Sequence, residues 1–474
     1  MAGGWQEHAS VAARFVYVGV FPLENLNIAD AMKLGASLWA AGNFEDCEKV
    51  FRAVADVDPE NQYAIHGVGA CLMEMYRPTE AMPWFDLAYG LLYRDMMGLM
   101  SNRARAVGDA GDAEGALVLF ENLLKQEPNN AHFLLNRGLM LLQMRKYKAA
   151  VADMEAVLAI EPNNDKARFG RGFARLVQGD FASGFEDYEY RMKYHIDPID
   201  APEWTGAEDV DGKTVLVHED MGLGDNIMFM RYVPMLRDRG ARVVVVISDN
   251  VRPLVPEGVE VVGFDRTTWP KLDYWVRFMS LAWCFRTTLD TVPAPVRVNY
   301  DPFRLARWQD VIGRGDALKV GLCWTGSPKS IYDAQRTIPL ARLAPLFDVR
   351  GVKFFSLQKD VRPSDEAEFN RLPMVNIASQ FETYADTAAA MNCLDLVITV
   401  DTSVAHMAGT VGVPTWVMLT NYRSYWVWAE SQISCPWYAS ARVFRQEKDG
   451  DWDSVVLPIR DRLASIAQPK ALTG

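Results

Sequence analysis

The sequence lacks the features of several large protein classes. Its 474 residues include only six cysteines, none in a C-x-x-C pair, so it indicates neither a disulfide framework nor a zinc site and is typical of a reducing compartment. The N-terminal apolar run, Val16–Leu23, is far shorter than the ~20 residues of a membrane-spanning helix. It also lacks the order of a signal peptide. We therefore expect a soluble cytoplasmic protein without a membrane span.

Basic residues are in deficit as well. The chain has 49 Lys and Arg against 61 Asp and Glu, a net charge of −12 and a pI near 5.1. No nucleic acid is therefore expected as a partner of the whole chain, because such partners require a basic surface. Half of the residues are hydrophobic and 23% are charged, which excludes a disordered or collagen-like chain. The length predicts about three folding units.

Prolines mark an internal repeat in the first part of the chain. Pro59, Pro128 and Pro162 are separated by 69 and 34 residues, which matches the period of about 34 residues of tetratricopeptide repeats. Units with small and large residues at matching offsets span 28–61, 62–95, 97–130 and 131–164, and a fifth begins near Asp165 with Gly172, Gly184 and Tyr188. We predict an N-terminal segment, 1–27, and a repeat array over 28–195, against the alternative of an ordinary helical bundle. A protein-binding role for the array follows only from what such repeats commonly do.

The pattern changes after Tyr188. Prolines and glycines over 196–213 indicate a linker, and from Thr214 short apolar strands alternate with amphipathic helices, which is typical of parallel sheets. We predict strands at 214–217, 242–247, 259–262, 318–324, 352–357, 374–377, 394–400 and 415–419, and helices at 227–238, 340–347, 384–392, 403–411 and 452–467. The sequence thus predicts two doubly wound α/β lobes, 214–300 and 301–474, with a ligand site in the cleft between them.

The turn after the first strand contains Gly222-x-Gly224-Asp225. Ile227 replaces the third glycine of a dinucleotide fingerprint, which weakens a nicotinamide or flavin interpretation. The glycines allow a ligand to approach the backbone closely. Asp225 is a candidate general base at the start of the following helix. The alternative is that Asp225 only caps that helix.

The turn after the fourth predicted strand, Thr325-Gly326-Ser327-Pro328-Lys329, combines small residues with a cation, and Arg336-Thr337-Ile338-Pro339 is expected to open the next helix. Backbone amides and positive charge would suit a pyrophosphate, with Ser327, Lys329 and Arg336 as ligands. The alternative is a solvated loop with ordinary surface cations. Trp324 and Gln358 are candidate walls of the same site.

A third turn follows the buried strand that ends at Val400. Asp401, Thr402 and Ser403 lie at a helix N-terminus, where amides and hydroxyls favour an anion. His406 follows one turn later. The alternative for this histidine is a purely structural role.

These three turns together resemble glycosyltransferase family 9, the ADP-heptose:lipopolysaccharide heptosyltransferases, which have the GT-B fold. The motifs that carry the resemblance are Gly224-Asp225, Arg336-x-x-Pro339 and Asp401-Thr402-Ser403-x-x-His406. The whole chain more closely resembles bacterial proteins that fuse tetratricopeptide repeats to such a domain. The resemblance implies an all-α solenoid followed by two Rossmann-like lobes, with the acceptor on the first lobe and the nucleotide sugar on the second.

The resemblance also implies a chemistry: a sugar moves from a nucleotide-diphosphate donor with inversion, without a bound metal or other cofactor. Asp225 matches the general base of the family, and Arg336 stands where heptosyltransferases have a phosphate-binding lysine. Asp401, Thr402, Ser403 and His406 match the donor-binding turn, with Ser403 where that family usually has glycine. Two acidic triplets, Asp209-Val210-Asp211 and Asp451-Trp452-Asp453, match a D-x-D metal pattern, but neither follows a strand and we interpret both as solvated turns.

Three functions stay open at this point. The first is a glycosyltransferase that acts on a protein or surface-glycan acceptor recruited by the repeats. The second is a non-catalytic scaffold that binds a nucleotide sugar or a partner protein, and the third is a nucleotide-dependent oxidoreductase, because of Gly222-x-Gly224. For the first, the predicted catalytic residue is Asp225, and the predicted donor-binding residues are Gly222, Gly224, Trp324, Ser327, Lys329, Arg336, Gln358, Asp401, Thr402, Ser403 and His406.

Overall fold

The computed structural model describes residues 27–91, 96–191, 198–328, 333–422, 424–428 and 435–467. The chain divides into two units, the first ending at Ala167 and the second beginning at Arg168. Within the described residues, ten helices between 28 and 188 form five consecutive hairpins. Their bounds are Ile28–Ala40, Phe44–Val57, Gln62–Glu74, Pro78–Gly90, Met96–Asp109, Ala113–Gln126, Ala131–Gln143, Tyr147–Ile160, Asp165–Val177 and Phe181–Tyr188. The predicted all-α repeat array is confirmed.

The repeat period is visible in contacts that recur between the two helices of a hairpin. A Cβ atom added to Gly35 would lie 2.5 Å from the ring of Phe51, and one added to Gly69 would lie 2.6 Å from Phe85. The same 16-residue separation pairs charges in later hairpins: Arg137 donates to Asp153 at 2.6 Å, and Arg171 donates to Asp187 at 2.7 Å. Small residues therefore stand where paired helices approach closely, as ridge-into-groove packing requires.

The second unit contains a four-stranded parallel sheet, formed by β1 (Thr214–His218), β2 (Arg242–Val246), β3 (Glu260–Val262) and β4 (Tyr274–Arg277) in the order β3-β2-β1-β4. The strand β4 was not predicted. The helix after β1 begins at Leu223, four residues earlier than expected, and continues through a 3-10 turn at Met230–Tyr232 into Val233–Asp238. Asp225 thus lies in the first turn of the Leu223–Phe229 helix, next to the end of a central strand.

A six-stranded parallel sheet follows, in the order β10-β9-β8-β5-β6-β7. Its strands are β5 (Leu318–Cys323), β6 (Val352–Ser356), β7 (Met374–Asn376), β8 (Leu396–Val400), β9 (Thr415–Leu419) and β10 (Ala441–Arg445). The accompanying helices are Leu281–Cys284, Pro302–Ile312, Asp333–Arg336, Glu366–Arg371, Tyr384–Asn392, Ser403–Val411 and Asp453–Ala467, and shorter 3-10 turns lie between them. All eight predicted strands are present within two residues of their expected bounds, so the predicted α/β class with two parallel sheets is confirmed.

The prediction that a helix opens at Arg336 is wrong. Arg336 instead ends the short Asp333–Arg336 helix, and the next element is a 3-10 helix, Leu340–Asp348. Pro339 disfavours helical backbone at the preceding residue, which separates the two elements. The predicted α-helix at 340–347 is therefore 3-10, with Pro345 inside it.

The segment expected to be a linker also differs from the prediction over its described part, 198–213. Trp204 is fully buried, and its indole N–H donates to the carbonyl of Glu208 at 3.1 Å. The neighbouring Glu203 forms a parallel bridge with Trp275 in β4. This segment consequently covers an edge of the first sheet instead of connecting two bodies freely.

Candidate functional site

The three predicted turns lie together in the second unit. The Leu223–Phe229 helix packs against the Ser403–Val411 helix at Gly224, where an added Cβ atom would lie 2.6 Å from His406 and 3.2 Å from the Cα atom of Ser403. Arg336 contacts both remaining turns, since its guanidinium group lies against Gly326 and donates to the carbonyl of Asp401 at 2.9 Å. Residues from both sheets therefore meet beyond the carboxyl ends of β1, β5 and β8.

The carboxylate of Asp225 receives two hydrogen bonds. Its Oδ2 atom accepts from the backbone N–H of Gly222 at 3.0 Å, and its Oδ1 atom accepts from the hydroxyl of Tyr425 at 2.7 Å. The first contact is the helix cap that the sequence left as an alternative. The second contact reaches a residue of the other lobe, so Asp225 does more than cap its helix.

Burial is the main cause of the raised pKa of Asp225. Desolvation raises its pKa to about 6, while the donors Tyr425 and Gly222 lower the pKa and the negative charges of Asp220 and Asp401 raise it. The residue keeps some solvent exposure. A partly exposed carboxylate with this pKa is ionised at neutral pH and can still accept a proton in a reaction.

Arg336 supplies positive charge to the second and third turns. Burial raises the pKa of Asp401, and Trp428, Arg336 and Arg445 oppose that rise. Within the described residues, the buried atoms Nε of Arg336 and Oγ1 of Thr325 have no hydrogen-bond partner. Two potential donors without a partner among the described residues thus lie at the turn around Gly326.

Thr402 and Ser403 both hydrogen-bond to protein groups. Thr402 is the N-cap of the Ser403–Val411 helix, and its hydroxyl accepts from the N–H of Val404 at 3.2 Å. The hydroxyl of Ser403 accepts from that of Tyr384. The turn is therefore fixed by its own side chains, which favours its backbone amides over its hydroxyls as the groups that meet an anion.

His406 lies in the interface between the Leu223–Phe229 and Ser403–Val411 helices. It is 4% exposed, and its Nδ1 atom is 3.1 Å from the hydroxyl of Tyr438. Desolvation, followed by the nearby charge of Arg231, lowers its pKa to about 3. A neutral, enclosed imidazole with an aromatic neighbour at 5.2 Å, Trp428, corresponds to the structural alternative considered for this histidine.

Trp324 and Gln358 stabilise the turn that follows β5. Trp324 is fully buried, and its indole N–H donates to Asp365 at 2.9 Å. The side-chain oxygen of Gln358 accepts from the backbone N–H groups of Trp324 and Thr325 at 3.3 and 3.0 Å. These two residues shape the turn and do not form an open wall. Ser327 is exposed at its tip, and Lys329 lies outside the described residues.

Sequence reasoning missed three residues of this region. Tyr425 binds Asp225 directly, although 200 positions separate the two residues. Tyr188, at the end of the last repeat helix, packs against the ring of Trp426 at 5.9 Å, and Trp426 lies 5.5 Å from the ring of Tyr425. Arg191 is 1% exposed and donates to Asp220 at 2.7 Å, to Glu189 at 2.7 Å and to Ser280 at 2.7 Å. In the sequence, only Arg191 gave a local signal, because it lies close to Glu189. An arginine near an acidic residue is common on protein surfaces and does not indicate a buried site.

A separate groove, metal-binding groups and membrane helices were also considered. A groove of about 1060 Å³, lined by Arg297, Tyr300, Thr410 and Ser440 among others, lies at the opposite end of the Ser403–Val411 helix. In the described ranges no group of three or more His, Cys, Asp and Glu side chains could hold a metal ion. No helix in the part of the chain that the structure describes is both long and apolar enough to cross a membrane.

Comparisons with known proteins agree with the repeats. Residues 101–164 match the family model of the tetratricopeptide repeat. The chain is 26% identical over 452 residues to Protein FlbA of Caulobacter vibrioides, an alignment that covers 86% of this chain and 74% of FlbA.

Among solved structures, a glycosyl transferase family 9 protein of Veillonella parvula is similar with a TM-score of 0.42 and 15% identity, over 55% of this chain and 99% of that one. A thermophilic tetratricopeptide protein of Thermus thermophilus is similar with a TM-score of 0.32 and 17% identity, over 34% of this chain and 89% of that one.

Proposed function

We propose that the protein is a glycosyltransferase that moves a sugar, with inversion, from a nucleoside-diphosphate donor to an acceptor hydroxyl. The observation that carries the proposal is the position of Asp225. This ionisable and partly exposed carboxylate, whose pKa is about 6, lies beside the turns that hold Arg336 and Thr402. One site thus brings together a base and groups that favour phosphate. The family resemblance of the same motifs supports this assignment.

Asp225 would act as the general base. Its carboxylate takes the proton of the acceptor hydroxyl while the acceptor oxygen forms a bond to the anomeric carbon of the donor. The bond from that carbon to the phosphate oxygen breaks on the opposite face, which inverts the configuration. The nucleoside diphosphate leaves with the electron pair of the broken bond, so that protons, bonds and charge balance.

Arg336 and the N-terminus of the Ser403–Val411 helix would stabilise the leaving group. Negative charge grows on the phosphate oxygens as the bond breaks, and fixed donors aimed at that charge lower the barrier. The guanidinium of Arg336, the amides of the turn and the hydroxyl of Thr325 are the candidate donors. The tetratricopeptide repeats would recruit a protein or glycan acceptor, in keeping with the binding surfaces that such arrays form.

The test is a screen of nucleoside-diphosphate sugars. Release of the nucleoside diphosphate is measured with the full chain, and mass spectrometry detects sugar on co-encoded proteins offered as acceptors. For an active donor, we expect kcat/KM to fall as the pH drops below about 6, because protonation removes the base. Asp225→Asn should lower kcat by about 10²- to 10⁴-fold.

The same variant provides its own stability control. Burial raises the folded-state pKa of Asp225 above the usual carboxyl value, so the charged form destabilises the folded state at neutral pH. Asp225→Asn should therefore unfold at a temperature at or above that of the wild type at pH 7.5. Unchanged turnover in Asp225→Asn would overturn the base assignment. His406→Ala is a poor probe, because it removes a buried ring and leaves a cavity.

A non-catalytic scaffold is the second candidate. It is favoured by the observation that the polar side-chain atoms of Thr402, Ser403 and His406 are already bonded within the protein. Thermal stabilisation by a nucleotide sugar without release of the nucleotide would support this function. Stabilisation by NAD(P) and not by nucleotide sugars would instead support an oxidoreductase.

A further inference from the structure

The last repeat helix ends beside the candidate base. Its final residue, Tyr188, is buried and packs against the rings of Phe169 at 5.2 Å and Trp426 at 5.9 Å. A Cβ atom added to Gly172 would lie 2.7 Å from the backbone nitrogen of Tyr188, so the two helices of this hairpin are in close contact there. This packing also fixes the ring of Trp426, which lies 5.5 Å from the ring of Tyr425.

The direction of the hydrogen bond follows from the number of protons. An ionised carboxylate can only accept, so the hydroxyl of Tyr425 donates its single proton to the Oδ1 atom of Asp225.

We infer that Tyr425 is a positioning residue for the base. This inference rests on the proposed function of Asp225. Tyr425 and the N–H of Gly222 each bond one carboxylate oxygen, which fixes the plane of the carboxylate and favours its ionised form. The last repeat helix contributes through packing, because the ring of Trp426 lies between those of Tyr188 and Tyr425 in a chain of ring contacts.

Other charged groups also face Asp225. Asp220 lies in the same turn and is paired with Arg191. Asp401, after β8, lies near the cations Arg336 and Arg445. His406 comes from the adjoining helix and is neutral, because its pKa is lowered to about 3. Substitution of Tyr425 by phenylalanine removes none of these groups, so the variant isolates the hydroxyl.

The test uses the full chain with Tyr425→Phe and a matched control, Tyr232→Phe. Tyr232 is also buried, and its hydroxyl is 2.9 Å from that of Thr287, away from Asp225. The protein is labelled with carbon-13 at aspartate carboxyl groups, and infrared spectra are recorded from about pH 4 to about pH 9, across the range of carboxyl titration. The band that Asp225→Asn removes reports the titration of Asp225.

We expect the Asp225 midpoint, about 6 in the wild type, to move upward in Tyr425→Phe by about one pH unit, the size expected for a lost hydrogen bond to a charged group. The ionised fraction near pH 6, and kcat/KM there, would fall about fivefold, while kcat/KM near pH 8 stays within about twofold. Tyr232→Phe should leave the midpoint unchanged.

The outcomes separate the two proposals. An unchanged Asp225 midpoint in Tyr425→Phe overturns the inference, even if the chain transfers sugar. If no nucleoside-diphosphate sugar reacts, the proposed function fails, but the infrared titration still decides whether Tyr425 controls the ionisation of Asp225. A shift of equal size in Tyr232→Phe would show a general effect of losing a buried hydroxyl and would also overturn the inference. If Tyr425→Phe does not fold, 3-fluorotyrosine is placed at position 425. Its more acidic hydroxyl is a stronger donor and should move the midpoint downward, so an unchanged midpoint would contradict the inference.

Discussion

Gly224 has a different role from the one that its motif indicates. A glycine after a parallel strand is commonly where a ligand approaches the backbone. Here the close neighbour is the ring of His406, 2.6 Å from the place of a Cβ atom. The glycine therefore allows two helices of different lobes to pack, and this packing brings Asp225 to Tyr425. The missing third glycine of the fingerprint is consistent with that role.

Gly224→Ala should consequently destabilise the second unit. The new methyl group would collide with His406 and with the backbone of Ser403, at 2.6 and 3.2 Å, and overpacking of this kind typically costs about 1–3 kcal/mol. Urea unfolding of the full chain measures the loss. Gly263→Ala is the matched control, because nothing lies within 4 Å of its added Cβ atom, and it should change the free energy of unfolding by less than about 0.5 kcal/mol. Equal effects of the two variants would contradict this account.

The sequence could identify site residues only where local signals existed. Asp225 and Thr402 lie in the turns that directly follow β1 and β8, and Arg336 comes after the turn that follows β5. The rule for parallel sheets places such turns at one edge. Tyr425 and Arg191 follow no such rule. Their partners lie 200 and 29 positions away, and no local pattern specifies a contact at that distance. The buried states of His406, Trp324 and Gln358 depend on the same long-range packing.

Among the elements, those with clear boundaries were predicted best. The Tyr384–Asn392 and Ser403–Val411 helices and the strand β9 have the expected bounds, because threonine N-caps or flanking turn residues accompany a clear apolar pattern. The strands β4 and β10 were missed, since arginine and aromatic residues in Tyr274–Arg277 and Ala441–Arg445 obscure their apolar pattern. The Pro302–Ile312 helix was missed because its segment was taken for a connection between lobes.

A buried charge, that of Arg191, fixes the chain at the end of the last repeat helix. Arg191 is 1% exposed and bonds the acidic residues Glu189 and Asp220 as well as Ser280. The two negative charges raise its pKa against the opposing effect of burial, which is the largest single influence. The repeat helix, the turn after β1 and the segment after β4 are thereby joined at one guanidinium group.

Arg191→Leu should strongly destabilise the second unit. Removing one partner of a buried ion pair leaves uncompensated charge and typically costs about 3–5 kcal/mol. The double variant with Asp220→Asn should recover part of that loss, since one of the two stranded carboxylates becomes a neutral amide. Urea unfolding measures the free energy of unfolding of the single and the double variant. Arg460→Leu, at an exposed ion pair with Asp461, is the control and should change the free energy of unfolding by less than about 1 kcal/mol. A comparable loss in the control would refute the role of burial.

For the whole molecule, the helical pattern and the division by contacts differ at the last hairpin. The hairpins continue to Tyr188, whereas the second unit begins at Arg168. Aromatic contacts explain the difference. Phe181 lies 5.9 Å from Trp437, and Phe185 lies 5.6 Å from Trp426. Burial of such side chains contributes about 1.5–3 kcal/mol each, so the last helix belongs to the core of the second unit.

Two truncated chains test this boundary. Residues 165–474 retain Phe181, Phe185, Tyr188 and Arg191, and should unfold in one cooperative transition within a few degrees of the corresponding transition of the full chain. Residues 196–474 start where the repeat pattern ends, and they should expose Trp426 and Trp437, bind a hydrophobic dye and aggregate, because a large apolar patch loses its cover. Differential scanning calorimetry and dye fluorescence measure both. If the shorter chain were as stable as the longer one, the last repeat would be a separate element that merely precedes the lobes.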